Sequence, residues 1–367
     1  MTRTTRLRAL RWGAPALVVA AIAVTASGVL SADANPPLPA RTAAQLLVDL
    51  ESARVDGLSG TIVHDASLGL PELPTSGPGA STSLTSLLSG PHTLRVWASG
   101  ADKHRVALLG NLGESDVIHN GQNVWIWDSQ AKTAAHYIVP AGALARHVDP
   151  EPTGMTPQEV ADAALKAIDP TTTVTTDGTA SVAGRSAYEL VLSPKDTRSL
   201  VGQVRLALDS ETHIPLRVQV FARGGTKPSY EVAFSRISFA VPDDEEFQFS
   251  PPPGTKVTDR DKPSSPGMSD EPGSKGSEPR VVGKGWTAVV VIPGVSLANP
   301  NGPATGPGGG SLGELTPILN RLPRVSGSWG SGRLLAGTLF SALATDDGRL
   351  LVGTVSPDVL YQAARQR

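Results

Sequence analysis

The stretch Leu94–Asp128, LRVWASGADKHRVALLGNLGESDVIHNGQNVWIWD, decides the fold: apolar and polar side chains alternate along it, and short turn signals cut it. Thr93–Ala98, His104–Leu109, Ser115–His119 and Asn123–Asp128 each read with the strand period of two. Ser99-Gly100-Ala101-Asp102 and Asn120-Gly121 separate them. Asn-Gly favours a two-residue hairpin because both residues tolerate positive φ. Strands joined this way predict antiparallel pairing.

The same pattern continues outward. Ser59–His64 precedes the stretch, Ala134–Val139 follows it, and Ser181–Val182 with Ala187–Leu192, Gln203–Asp209, Leu216–Ala222 and Tyr230–Phe239 come later. Thr42-Ala43-Ala44-Gln45 is a capping box, and Ala43, Leu46, Leu47 and Leu50 follow at helical spacing. A second helix is expected from Thr156-Pro157-Gln158-Glu159 to about Ile168, with proline at its first position. One helix, a run of hairpins, one helix and more hairpins predict an α+β fold, a single antiparallel sheet with two helices on one face. A sheet this long twists and curls, and two helices cannot cover its inner wall. The expected shape is an open half β-barrel with a partly filled apolar hollow, suited to lipids or acyl chains.

The N-terminus carries Arg3, Arg6, Arg8 and Arg11, then an uncharged apolar run from Ala14 to Ala26, then Ala32-Asp33-Ala34. That is the layout of a secretory signal. Cleavage after Ala34 and retention as an anchor both remain open; either exposes the rest outside the cytoplasmic membrane. Asp259–Pro279, DRDKPSSPGMSDEPGSKGSEP, is too polar to bury a core and reads as a flexible linker. The chain therefore divides into a signal or anchor (1–34), a body (35–257), a linker (258–280) and a small C-terminal α+β module (281–367). Inside the module, Asn299–Gly310 reads as a mobile loop.

The 367 residues hold no cysteine, which excludes disulfides, thiolate metal sites and an N-terminal lipidated cysteine. The net charge of -2, with both signs interspersed, argues against nucleic acid as a partner. The histidines at 64, 92, 104, 119, 136, 147 and 213 form no metal-ligand spacing on a predicted helix. Ser326–Gly332 has no histidine after it in the module, so it makes no catalytic triad there. Gly308, Gly310 and Gly313 spell a dinucleotide motif but follow a proline-rich coil instead of a strand. Asp243–Glu246 and Asp346-Asp347 read as solvated turns. No catalytic residue, metal ligand or cofactor is assigned, and the chain is expected not to be an enzyme.

The order of these motifs resembles the LolA family of periplasmic lipoprotein carriers and its relative RseB (MucB), a regulator that senses mislocalised envelope proteins. Leu94–Asp128 is similar to the family's strand, "K-aromatic-R" strand and "D-G-aliphatic-W" hairpin. Tyr188–Asp196 (YELVLSPKD) resembles its "L-x-P-K-D" strand end, Val204–Phe221 its "D-x-x-T-G-x-P" hairpin, and Phe247–Val257 (FQFSPPPGTKV) its "F-x-F-x-P-P-x-G" ending. Gly337–Ala364 is similar to the C-terminal module of RseB, with Ser356-Pro357 opening the last helix; carriers of the LolA type lack such a module. The resemblance implies an exported binding or carrier protein for a lipid or acylated protein. The alternative is an envelope-stress regulator or adaptor with a membrane-anchored protein partner.

Within that resemblance Arg105 stands where the carriers have an arginine that helps hold a helical lid. His104 replaces the aromatic and Val106 the tryptophan beside it, so an ordinary solvated strand arginine is the other reading. Trp125 and Trp127 share one strand face: turned inward they would be ligand platforms, turned outward they would pack on a helix or on the module. Leu94, Val96, Leu190, Leu192, Leu206 and Val218 complete the expected lining. The insertion Leu68–Pro91, with the apolar Ser83–Gly90, would be a flap over the hollow or a surface loop.

Overall fold

The capping box forms as the sequence demands. Thr42 Oγ1 accepts from the Gln45 amide at 3.2 Å and Gln45 Oε1 accepts from the Thr42 amide at 2.9 Å, opening α1 (Ala43–Ser52). This computed structural model describes residues 38–70, 84–110, 113–139, 170–260, 279–293 and 322–366. The signal, the helix expected over Thr156–Ile168, the core of the linker, the Asn299–Gly310 loop and residues 71–83 of the 68–91 insertion lie outside those residues. Within the insertion, Leu84–Leu88 forms a short 3-10 helix.

The described body is one curved, open sheet with α1 over its concave face. Its first six strands are β1 (Gly57–Ala66), β2 (Gly90–Ser99), β3 (Lys103–Leu109), β4 (Glu114–Asn120), β5 (Asn123–Asp128) and β6 (Thr133–Ile138). The second set is β7 (Thr172–Val182), β8 (Arg185–Pro194), β9 (Val201–Asp209), β10 (Pro215–Ala222), β11 (Pro228–Ser238) and β12 (Lys256–Arg260). They line up as β12-β6-β5-β4-β3-β2-β1-β11-β10-β9-β8-β7, so β1 joins the two sets in the middle. Every pairing is antiparallel except β12 with β6, which is parallel and corrects the expectation of a purely antiparallel sheet. Thr258–Arg260, inside the stretch read as linker, belong to that edge strand.

The Asn120-Gly121 turn joins β4 to β5 with Gly121 at φ 62°, which glycine adopts without a steric penalty. Alternation then decides the faces. Tyr188, Leu190, Leu206, Leu208 and Val218 pack against Leu46 and Leu47 of α1. Leu46, fully buried there, contributes about 1.5–3 kcal/mol by leaving water.

The C-terminal module is a second sheet, ordered β13-β14-β18-β17-β16-β15. Its strands are β13 (Arg280–Val282), β14 (Val289–Pro293), β15 (Arg324–Gly327), β16 (Gly330–Ala336), β17 (Ser341–Thr345) and β18 (Arg349–Gly353), and α2 (Pro357–Ala364) packs on it. Val289, Val291, Leu343, Leu351, Val355 and Leu360 form its core, and Trp329 stacks on Tyr361 at 5.4 Å.

The module is fastened to the body. Ser199 and Val355 form a β-bridge, the Leu200 amide donates to the Thr354 carbonyl at 2.8 Å, and the Thr338 amide donates to the Leu68 carbonyl at 2.7 Å. Trp286 Nε1 donates to Thr172 Oγ1 at 2.8 Å, while its carbonyl accepts from Thr354 Oγ1. Gly285 beside it has φ 54°, and a Cβ there would stand 2.6 Å from Thr171 Cγ2, so only glycine permits this approach.

Candidate functional site

Strand register sorts the nine lining candidates onto two faces. Val218 faces Val232, which pairs with His64; two residues on, Ile62 pairs with Leu94, and Leu94 with Leu108. The wall that α1 covers thus continues across the sheet through Leu94 and Val96 to Val106, Val117 and Ile126. Leu94, Val96, Leu190, Leu192, Leu206 and Val218 all stand on this concave side. Arg105, Trp125 and Trp127 stand on the other.

The opposite face is closed by the chain itself. A lateral row runs Trp97, Arg105, Ile118, Trp125, His136, one residue per strand. Arg105 lies 5.0 Å over the Trp97 ring and donates to both carboxylate oxygens of Asp116, at 3.4 and 3.3 Å. It also donates to the Glu246 carbonyl at 3.3 Å, in a segment that follows β11 and includes the 3-10 turn Asp244–Phe247. Lys103 donates to Asp244 at 2.6 Å and Asn120 to the Phe247 carbonyl at 3.3 Å, so the segment is tied along its length. Phe247 is buried, and Phe249 packs on Trp125 and Trp127 with ring centroids 5.3 and 5.7 Å apart. Trp125 stacks on His136 at 4.1 Å. Burial pushes the Asp116 carboxyl above its ordinary range, with Arg105 pulling the other way. Among the described residues, then, Arg105 fastens the body's closing segment, and both tryptophans pack against it.

The concave wall is occupied in two places. Over β8, β9 and β10, α1 covers it as described. At the Ala66 end, Leu339, Phe340 and Trp286 of the module pack on Ala66, Leu68, Val201 and Tyr230. Between and beyond these covers lies the wall over β1 to β5, where Val96, Val106 and Val117 are half-buried and Ile126 keeps 40% of its surface exposed. The 3-10 helix Leu84–Leu88 adjoins it at β2, and Leu94 and Leu108 within it are buried. This aliphatic strip is the candidate site.

Sequence reasoning missed the imidazoles on the same wall. His64 pairs with His92 across β1 and β2, and His104 with His119 across β3 and β4, where the rings stack at 5.7 Å. His64 also meets Tyr230 edge-on at 5.1 Å. Burial, with His92 adding to it, pulls the His64 imidazole down to about 4, while burial pushes the Tyr230 phenol up to about 12. Part of the signal was available: His92 has the strand parity of Leu94 and His104 that of Leu108. Among the described residues no cluster of three or more potential ligands could hold a metal ion, and no helix is long and apolar enough to cross a membrane.

No family model and no curated protein matches the chain. Among solved structures it is similar to the complex of MucA and MucB from Pseudomonas aeruginosa, at 15% identity over 88% of this chain and 96% of that one, with a TM-score of 0.43. A LolA superfamily protein from Nitrosomonas europaea matches at 11% identity over 57% of this chain and 99% of that one, with a TM-score of 0.21. An uncharacterized conserved protein from Thermus thermophilus matches at 13% identity over 59% and 98%, with a TM-score of 0.35.

Proposed function

We propose that the chain is an extracytoplasmic binding protein whose concave wall over β1 to β5 takes an apolar guest, a lipid or the acyl chain of a lipoprotein. The observation that carries this reading is the run of half-buried valines and exposed Ile126 on the same face that α1 and the module cover elsewhere. Apolar surface left beside a filled core gains by meeting an apolar ligand, and a wall without charged side chains at its centre supplies no competing recognition of a polar one. The basic and apolar N-terminus fits the same reading, since it would bring the body to where exported lipids are met. No catalytic role is assigned to any residue of the wall.

Native mass spectrometry of the full chain purified from its own envelope tests this. A bound species of lipid mass that organic solvent strips away is the expected result; a chain that emerges without a guest overturns it.

A second reading is favoured by the fastened module: an RseB-like adaptor, in which the body senses an envelope signal and the module engages a membrane-anchored regulatory protein. The β-bridge between Ser199 and Val355 would let events on the wall reach the module. An empty body found in stable complex with such a regulator selects this reading over the carrier.

A further inference from the structure

The aliphatic strip ends in imidazoles on both sides. His92 and Ala98, the register partner of His104, lie about 20 Å apart along β2 at strand rise. The two histidine pairs therefore bracket Leu94, Val96, Val106, Leu108 and Val117.

Their tautomers are fixed by the backbone. His119 Nε2 lies 2.7 Å from the Gly121 carbonyl, which can only accept, so in the neutral ring Nε2 carries the hydrogen and Nδ1 the lone pair. His64 hydrogen-bonds to the backbone at Gly90, and its Nδ1 is likewise left over. Both Nδ1 atoms are buried and have no partner, in side chains only 1% and 6% exposed. Buried acceptors of this kind are rare, because each has given up water and received nothing in return. A neutral imidazole lone pair is complemented by an O–H or N–H group. It repels a carboxylate or phosphate oxygen, which is itself an acceptor.

We infer that the guest is amphipathic, with a hydroxyl or amide donor beside its apolar chain, and that Nδ1 of His64 and of His119 receive that donor at the two ends of the strip. This rests on the apolar-guest reading above and sharpens it: alcohols and amides of long-chain lipids are selected over lipids that end in a bare anionic group. Both nitrogens are buried, so a guest that reaches them exchanges a covered lone pair for a hydrogen-bonded one. The low affinity of the His64 ring for protons keeps its lone pair available at neutral pH.

The test uses the full chain loaded with the uncharged dye Nile red, displaced by 1-dodecanol, by its methyl ether or by dodecanoate. The alcohol is expected to displace the dye at about fivefold lower concentration than the ether, the factor that one net hydrogen bond supplies. Dodecanoate should be weaker than the alcohol. His64→Phe with His119→Phe should bring alcohol and ether to equal potency while the dye still binds. Equal potency in the unaltered chain overturns the histidine assignment and leaves the apolar site standing; failure of Nile red to bind at all overturns the apolar site. The wild-type comparison decides the matter even where the double variant does not fold.

Discussion

The two faces of β2 to β5 are made by alternate residues of the same strands, yet they have opposite fates. One face holds Trp97, Arg105, Asp116, Trp125 and Trp127, and the body's own segment Asp243–Phe249 seals it with hydrogen bonds and a pair of ring contacts. The other holds Leu94, Val96, Val106, Leu108 and Val117, bracketed by histidines, and α1 packs elsewhere, on the β8 to β10 side. The chemically conspicuous side chains fasten the structure, while on the aliphatic face Leu94 and Leu108 are buried and Val96, Val106 and Val117 keep part of their surface exposed. An arginine set among aromatics invites a functional reading, but a charged group buried beside a carboxylate is as easily a fastening.

Several changes would break or sharpen that contrast. Arg105→Leu leaves the Asp116 carboxylate buried without its partner and should cost about 3 kcal/mol, read as a lower denaturant midpoint. If stability is unchanged and guest retention falls instead, the sealed face has been misassigned. A pH titration of stability addresses the open face at nearly the same magnitude. The His64 imidazole binds a proton in the unfolded chain near its ordinary value but in the folded chain only at about 4. The unfolded state therefore holds more protons between those values, so the contribution is fully present above about pH 6.5 and is lost as pH falls toward 4. It amounts to about 3 kcal/mol. His64→Phe should flatten that slope, and an unchanged profile would assign it to other groups. Trp286→Phe removes the indole donor to Thr172 and should cost about 1 kcal/mol. Faster proteolysis between body and module would reveal the loosened seam. The smallest effect on stability, within about 1 kcal/mol, is expected for Val106→Ser on the half-buried strip. That variant should nonetheless retain less Nile red.

Much of the fold was legible because its cues are local. The Thr42–Gln45 box, the Asn120-Gly121 turn and the alternation of β2 to β5 each lie within a few residues. The misses are long-range. The start of β7, Thr172–Ala180, is polar on both sides because it is an exposed edge, so alternation is weak there. β12 was not read as a strand, its second half being assigned to the linker, because a parallel partner far back in the chain leaves no turn signature beside it. For the site, parity placed Trp125 and Trp127 together and Leu94 with Val96. Only the register through β11 and β10 to α1 tells which pair shares the helix's side. The segment that covers the tryptophans was read as a family-like ending, and nothing local in FQFSPPPG says what its phenylalanines touch.

The central position of β1 carries a consequence for biogenesis. Its neighbour β2 follows soon in the chain, but its other neighbour β11 is made only after most of the body, and the seal at Phe247 and Phe249 comes later still. A polypeptide delivered from its N-terminus would thus hold a bare edge and uncovered indoles until the last fifth of the body has arrived. Maturation is then late and all at once, and the nascent body needs either a chaperone's shelter or rapid completion to escape self-association.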